Sequence, residues 1–525
     1  MTFVSASAAR WPAYPVGHAD TVSEVTAEHA GPDDAPDDLP EQVRIRREKY
    51  DRLIGDPERA PFPVRVERTH TLAQIRQAFP ELAPDTATGV LVSVTGRVIF
   101  VRNTGKLCFA TLREGGVEVQ AMLSADQVGT EALANWKADV DLGDQVVVAG
   151  EVISSRRGEL SVLAHSWRMT AKALRPLPVA HRPMSEESRV RQRYVDLIVR
   201  PEARRMVIVR AQVLASLRRS LNGLGFIEVE TPVLQSVHGG AAARPFHTHL
   251  NAFDQPMSLR IAHELYLKRA LVGGIERVFE IGKTFRNEGI DSTHSAEFTM
   301  LEAYEAYGDC NSVAAWTRSL IVDAAHAVGI ETARTADGEE IELTSEWRWR
   351  SIYDLVSAAV DEVVTPDVEA SELRRLAAFR NVALKPDLVA GEIVLELYEK
   401  LVEHTLIQPT FVCDYPRSVR PLARPHRTDP RLAEAWDLVI GGVEIAPGYS
   451  ELADPVEQRR VLLEQSVAAA AGDPEAMQLD EDFLQALEYG MPPSGGMGLG
   501  VDRLIGLFTG KGIRETILFP LLKPL

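Results

Sequence analysis

The sequence predicts an α+β protein in two folded parts: a small all-β barrel, and after it a longer stretch in which helices and strands mix. Three observations carry that reading. Between about residues 88 and 180, five short runs alternate apolar and polar positions and are separated by glycine-rich turns, the pattern of a compact barrel. From residue 181 onward, helical and strand periodicities interleave with no internal repeat. The 525 residues, at about 100–200 per domain, allow two to four separate cores.

Composition narrows the function classes. With 45% hydrophobic and 25% charged residues, collagen-like, coiled-coil and wholly disordered chains are excluded. Cys108, Cys310 and Cys413 lie far apart without CxxC spacing. That excludes a disulfide scaffold and a cysteine-built zinc site, and predicts a reducing, cytoplasmic setting. No apolar run approaches the ~20 residues of a membrane helix, so no membrane segment is expected. The opening MTFVSASAARWPAYP lacks the basic and apolar regions of a signal peptide. A formal charge of −18 argues against indiscriminate nucleic-acid binding and leaves room for one local basic patch.

Taken in order, residues 1–39 are rich in Ala, Asp, Pro and Glu, which predicts a disordered acidic tail. At Pro40 the text becomes PEQVRIRREKYDRLIG, a basic amphipathic helix. Its Arg44, Arg46, Arg47, Lys49 and Arg52 are candidates for phosphate contact or for a solvated face. Five strand-like runs follow (VLVSVTGRVIFVR, KLCFATL, GVEVQAML, QVVVAGEVI and ELSVLAHSWRM), so a first domain of helix and barrel spans 40–180. Five-stranded barrels of this size often read oligonucleotides by stacking unpaired bases on aromatics. Phe109 and Gln120 are candidates for that face; ordinary strand positions are the plainer reading.

The second domain covers 181–525. GLGFIEVETPVL reads as a helix end, a turn and a strand, and RVFEIGKTFR and EFTMLEAYEAY as two strands. WDLVIGGVEIA reads as a hairpin across Gly441-Gly442, and GMGLGVDRLIGLF as a glycine-rich strand entering a helix. Residues 311–435 and 455–490 read as largely helical.

Three of these segments carry chemistry. With a two-residue turn, Ile440 is expected opposite Val443, Val439 opposite Glu444 and Asp437 opposite Ala446. Asp437 and Glu444 then share a face, roughly 7–8 Å apart at the backbone. Two acids so placed repel unless a cation separates them. Carboxylates with open positions suit Mg²⁺ held jointly with phosphates; a solvent-facing pair is the alternative. In EFTMLEAY, alternation puts Phe298, Met300, Glu302 and Tyr304 on one face, joining an aromatic that can stack a base to an acid that can hold an amine. FRNEGIDSTHSAE supplies Arg286, Glu288 and His294 on a loop, and a guanidinium suits a phosphate oxygen. Arg503 stands near the start of the helix after GMGLG, a run that matches neither GxGxxG nor the P-loop pattern. No Ser/His/Asp order, HExxH or paired-cysteine arrangement stands out, so nucleophilic hydrolysis and zinc catalysis have no support.

Together these segments resemble motifs 1, 2 and 3 of the class II aminoacyl-tRNA synthetases: motif 1 in GFIEVETPVL (about 225–234), motif 2 in FRNEG…HSAEFTMLEAY (about 277–304) and motif 3 in GLGVDR (about 496–508). Their order behind a small barrel is similar to the subgroup charging lysine, aspartate and asparagine. The text from Pro40 onward most resembles bacterial-type lysyl-tRNA synthetases, as in GGAAARPF, RIAHELYLKR, RGELSV and RQRYVDLI. The C-terminal third also resembles the actinobacterial modules associated with lipid lysylation.

The resemblance implies an OB-fold barrel that binds the anticodon, followed by a catalytic antiparallel sheet flanked by helices, in a homodimer joined through motif 1. It implies Arg286 on the ATP α-phosphate and the lysine carboxylate, Glu288 and His294 on ATP, and adenine between Phe298 and Arg503. Mg²⁺ falls to Asp437 and Glu444. Gly240 and Glu264 are expected at the α-amino end of L-lysine, with Glu302, Tyr304, Tyr449 and Glu451 around its side chain. Phe109, Gln120 and Glu159 fall where the family reads the anticodon of tRNA-Lys. The implied activity is ATP-dependent lysyl-adenylate formation and transfer to the tRNA 3′ end. Three positions depart from the family's text: Ser295 and Pro447 replace Asn, and Thr293 replaces a commonly basic residue. Proline has no side-chain donor, so Pro447 predicts one lost hydrogen bond to the amino acid. It also motivates a second reading, a paralogue adenylating lysine or a related basic amino acid for a non-tRNA acceptor or for lipid lysylation. A non-catalytic RNA-binding protein on this scaffold is a third; retention of Arg286, Glu444 and Arg503 argues against it.

Overall fold

The computed structural model describes residues 40–178, 184–291, 294–335, 337–470 and 477–524. The expected acidic tail 1–39 and Thr293 therefore lie outside the described residues. The chain divides into two compact units at Leu177/Pro178.

The first unit is built on a closed barrel of β1 (Thr86–Thr104), β2 (Leu107–Glu114), β3 (Val117–Ser124), β4 (Gln145–Ser154) and β5 (Leu160–Ala171), in the order β1-β2-β3-β5-β4. Closure depends on β1, which pairs with β4 along its first part and β2 along its second, with irregularities near Ala87–Leu91 and Val98–Phe100. A parallel β3–β5 pair completes the ring. Val94, Val98, Ala110, Leu112, Val148 and Val162 alternate inward, as period-two burial requires. The Thr130–Asp139 helix contributes Trp136, packed edge-on against Trp167 at 5.0 Å.

The basic helix forms over Glu41–Ile54, but three of its five candidate cations are spent on the unit itself. Buried Arg46 donates to the carbonyls of Ala173 and Leu142, each at 2.8 Å. Lys49 meets Asp141 at 2.7 Å, and Arg52 meets Asp139 at 2.7 Å. Phosphate contact by these three is thus corrected to docking: two backbone carbonyls take Arg46, and Asp141 and Asp139 take Lys49 and Arg52.

The second unit opens with two short helices, Glu186–Arg191 and Arg193–Val199, and then a long one, Pro201–Gly223, with proline at its first turn, where the missing N–H costs nothing. Then come β6 (Ile227–Glu228), β7 (Leu234–Gln235), β8 (His247–Leu250) and β9 (Gln255–Leu259), the Glu264–Val272 helix, β10 (Arg277–Phe285) and β11 (Glu297–Ala306). Beyond them lie the Cys310–Ala327 helix, β12 (Thr332–Arg334), β13 (Glu340–Glu342), β14 (Arg348–Ser351), a trio of helices, and β15 (Thr410–Cys413). The chain ends with β16 (Ala435–Ile440), β17 (Val443–Ser450), two helices, β18 (Ser494–Gly500) and the Val501–Thr509 helix.

Eight of these strands form one sheet, β14-β15-β16-β17-β18-β11-β10-β6, antiparallel except at its two edges, where β14–β15 and β10–β6 are parallel. The Pro201–Gly223 and Cys310–Ala327 helices cover one face, with Val213, Leu217, Leu221, Leu320 and Ile321 packed against Phe279, Leu301 and Leu499. Truncating one such leucine to alanine costs about 2–5 kcal/mol. The expected helical stretch 311–435 is corrected in part: it also holds β12, β13, β14 and β15, strands of three or four residues too short for periodicity to reveal.

The hairpin register is a second correction. Ile440 pairs with Val443 and Val439 with Glu444, as expected, but Asp437 pairs with Pro447, not Ala446. A bulge between Leu438 and Val439 is the cause. It sends both Ile445 and Ala446 into the core, so Glu444 and Pro447 lie together on the opposite face.

Candidate functional site

On the barrel, Phe109, Gln120 and Glu159 line one groove with Arg76, Arg102 and Arg157. The Arg102 guanidinium lies 4.8 Å from the Phe109 ring centre, Gln120 Oε1 accepts from Ser161 Oγ at 3.1 Å, and Glu159 meets Arg76 at 3.3 Å. Aromatic and cationic groups sharing a barrel groove suit an unpaired nucleic-acid strand.

In the second unit, the β10–β11 pair keeps strict register from Arg277↔Glu305 to Phe285↔Glu297 and so delivers the intervening loop to one end of the sheet. Arg286 closes the neck of that loop, donating its N–H to Ala296 O at 2.9 Å; its guanidinium stands 5.3 Å from the Phe298 ring centre. Burial pulls the Arg286 pKa down, against Glu288, Glu444 and Glu302, which hold it up. Glu288 accepts the Arg244 N–H at 3.2 Å. His294 turns Nδ1 to Asp291 at 2.9 Å, leaving Nε2 3.4 Å from Arg503 Nη2. Arg503 donates to Glu444 O at 2.9 Å. Its neighbour Asp502 is clamped, accepting the Thr299 N–H at 2.7 Å and pairing with Arg210 of the long helix. Arg286, Glu288, His294, Phe298, Glu444 and Arg503 line a single cavity, with Ser295 and Pro447 at its wall.

Glu444 lines this cavity, and Asp437 pairs across the hairpin with Pro447 of its wall. Burial and Glu444 push the Asp437 carboxyl above its usual range despite Arg420, which pairs with its Oδ2. Asp437 Oδ1 is buried with no hydrogen-bond partner among the described residues. Glu403, which accepts the Glu444 N–H at 3.2 Å, is pushed up to about 7 by burial and Glu444. Two acids pushed up by burial and by the charge of Glu444, beside an orphaned oxygen, fit a cation. No group of three metal-ligating side chains occurs among the described residues, so phosphate and water must complete any coordination, as Mg²⁺ commonly accepts.

Next to this cavity lie three buried carboxylates, Glu264, Glu302 and Glu451. Glu302 accepts the His263 N–H at 2.9 Å and the Tyr304 hydroxyl at 3.2 Å; against the opposing effect of burial, these hold its pKa below the usual range. Glu264 meets Lys268 Nζ at 2.5 Å and Glu451 meets it at 2.6 Å. Burial pushes both carboxyls up, against the pull of Lys268. Glu451 meets Lys268 through Oε2, and its Oε1 is buried with no hydrogen-bond partner among the described residues. Gly240 lies against Glu264, where a Cβ would come within 3.1 Å of the Glu264 Cβ. The half-buried Tyr449 extends the same face of β17, its pKa raised by burial and then by Asp437 and Glu264. The structure therefore gathers the expected residues into two adjoining places: a cleft of guanidinium, imidazole, aromatic and paired acids, and an acidic pocket.

Comparison with known proteins decides the family. The profile described as tRNA synthetases class II (D, K and N) matches residues 185–523, and that of an OB-fold nucleic acid binding domain matches 92–170. The chain is 56% identical over 494 residues to the lysine–tRNA ligase of Mycolicibacterium gilvum, covering 93% of this chain and 98% of that one. It is 55% identical to the lysine–tRNA ligase of Mycobacterium tuberculosis over 499 residues, 94% and 99% of the two chains. It is 50% identical to the lysylphosphatidylglycerol biosynthesis bifunctional protein LysX of Mycobacterium ulcerans, matching 94% of this chain and 44% of that one. The chain belongs to the class II tRNA synthetases.

As an aminoacyl-tRNA synthetase it carries the expected fold, an OB-fold unit followed by the class II catalytic sheet. Enzymes of this family use Mg²⁺ with ATP. No described helix of this synthetase is long and apolar enough to cross a membrane. Sequence reasoning missed four residues that shape the site. Lys268 was detectable, standing one helical turn after Glu264, and Asp502 adjoins Arg503 in GVDR. His263 and Arg420 gave no local signal, because each reaches its acid only through the fold.

Proposed function

We propose that this chain is a lysine–tRNA ligase that forms lysyl-adenylate from L-lysine and ATP and transfers the lysyl group to the 3′ end of tRNA-Lys. The observation that carries the reading is the buried cluster of Glu264, Glu302 and Glu451 around Lys268, with Glu302 close enough to act on Arg286. An aspartate or asparagine side chain offers it no cation, whereas a side-chain ammonium does. Glu302, Tyr304, Tyr449 and Glu451 surround that ammonium, and Gly240 and Glu264 meet the α-amino group. Adenine lies between Phe298 and Arg503, Glu288 and His294 contact ATP, and Arg286 holds the α-phosphate and the lysine carboxylate. The carboxylate attacks the α-phosphorus in line and pyrophosphate leaves; a ribose hydroxyl of the tRNA then attacks the adenylate carbonyl, the acyl–phosphate bond breaks and AMP leaves. Positioning and charge neutralisation by Arg286 and Arg503 supply most of the first step, and no side-chain base is required. Asp437 and Glu444 would hold Mg²⁺, which neutralises phosphate charge when bound. Phe109, Gln120 and Glu159 read the anticodon.

Exposed Val207 and Ile208 on the long helix, with Ile227, Val233 and Leu234 in motif 1, support a homodimer joined there. Three cysteines free of disulfides among the described residues support a cytoplasmic setting. Pro447 in the cavity wall favours a second reading, the same adenylation for a non-tRNA acceptor. Lysine-dependent ATP–pyrophosphate exchange without tRNA, run beside charging of tRNA-Lys transcripts, tests both. Exchange with charging supports the ligase, exchange without charging supports the second reading, and no exchange with any amino acid overturns both.

A further inference from the structure

We propose that Lys268 is a resident counter-ion of the amino-acid pocket, a positioning residue that favours the ionised forms of Glu264 and Glu451 and so lowers the pH at which a diammonium substrate can bind. The inference rests on the lysine-activating reading above and deepens it.

Three carboxylates converge here in a space closed to water, and such groups protonate unless a cation is supplied. Lys268 supplies it. Its side chain is fully buried, and Nζ stands 2.5 Å from Glu264 on its own helix and 2.6 Å from Glu451, just past the end of β17. The surrounding charged and titratable groups are accounted for. From β11, Glu302 is held by His263 and by Tyr304, and from β10, Glu280 is held by Arg260 at 2.6 Å. On the far side of the helix, Arg269 is taken by Asp480 and Asp482. Tyr449 on β17 and Arg286 beside the loop complete the surroundings. Three acids against one resident ammonium leave two charges uncompensated, the number of ammonium groups that lysine carries. Its carboxylate is matched separately by Arg286. A neutral isostere such as norleucine leaves one buried acid unpaired.

The test is the pH dependence of the KM for lysine in ATP–pyrophosphate exchange, with the KM for ATP and the melting temperature measured alongside. For Lys268→Met, the lysine KM is expected to rise roughly 100-fold at pH 7 and to recover to within about tenfold of wild type at pH 9, because the acids must now shed protons to bind the substrate. The KM for ATP should stay within about twofold. Lys268→Arg keeps the charge and changes the shape, so its KM rises while the break in the pH profile stays at the wild-type position. A KM increase in Lys268→Met that is the same at every pH would reduce Lys268 to a packing residue and overturn the proposal. Should Lys268→Met not fold, Glu264→Gln decides. With one acid fewer sharing the cation, its break must move to lower pH, and an unmoved break overturns the proposal. Absence of lysine-dependent exchange in the wild-type enzyme would instead sink the underlying reading.

Discussion

Each unit buries one lysine among carboxylates, and the two clusters are built to opposite ends. In the barrel unit, Lys172 donates to Asp139 O, Asp141 and Asp144 at 2.6–2.8 Å. The second oxygen of Asp144 accepts the Ala173 N–H at 2.7 Å, and Lys49 reaches the other oxygen of Asp141. Charges and hydrogen bonds close. In the catalytic unit, Lys268 faces more acid than it can serve, and Glu451 Oε1 is buried with no hydrogen-bond partner among the described residues. A closed buried cluster fixes structure, whereas an open one stores a binding site, because unsatisfied buried charge is costly until a ligand satisfies it.

The contrast can be broken by substitution. The largest effect is expected from Lys172→Met, which strands the buried Asp144 and should lower unfolding free energy by about 3–5 kcal/mol in a denaturant titration. The lysine KM of the folded fraction should not change. Glu451→Gln should do the reverse, cutting kcat/KM for lysine by roughly 10²–10³ while the melting temperature holds or rises. Loss of stability in Glu451→Gln, or lost lysine affinity in Lys172→Met, would erase the distinction. Next is Pro447→Asn, which places a donor at the cavity wall and should tighten lysine binding by about 1.5–3 kcal/mol, read from the lysine KM. The proline lies one residue outside the β17–β18 ladder, which begins at Gly448↔Met497, so the exchange disturbs no strand pairing on that side. The smallest effect is that of pH on the wild type. Glu264, pushed up to about 8 by burial despite Lys268, holds a proton below that pH and must release it to receive an ammonium. The lysine KM should therefore fall as pH rises toward 8, by at most about tenfold per unit, and level off above it. A KM that climbs over that range would place the proton on the wrong side of the equilibrium.

Much of this was legible without coordinates. The barrel strands, the β10–β11 pair and the glycine-turned hairpin each announce themselves in a run long enough to show a period or a turn. Phe298, Glu302 and Tyr304 followed from alternation alone. The short strands β14 and β15 did not, because four residues hold too few repeats. Nor did the fate of Arg46, Lys49 and Arg52, since a basic helix looks the same whether its partners are phosphates or aspartates far along the chain.

The order of residues by itself determined which segments become strands, where the turns fall and which side chains bring charge. Only the tertiary structure decided how those charges are shared. One bulge sets Asp437 opposite Pro447, and packing brings Arg420 to Asp437 and Lys268 to Glu451. The physical reason is range: hydrophobic period and turn chemistry act within a few residues, while the electrostatics of a buried group depends on every neighbour that excludes water from it.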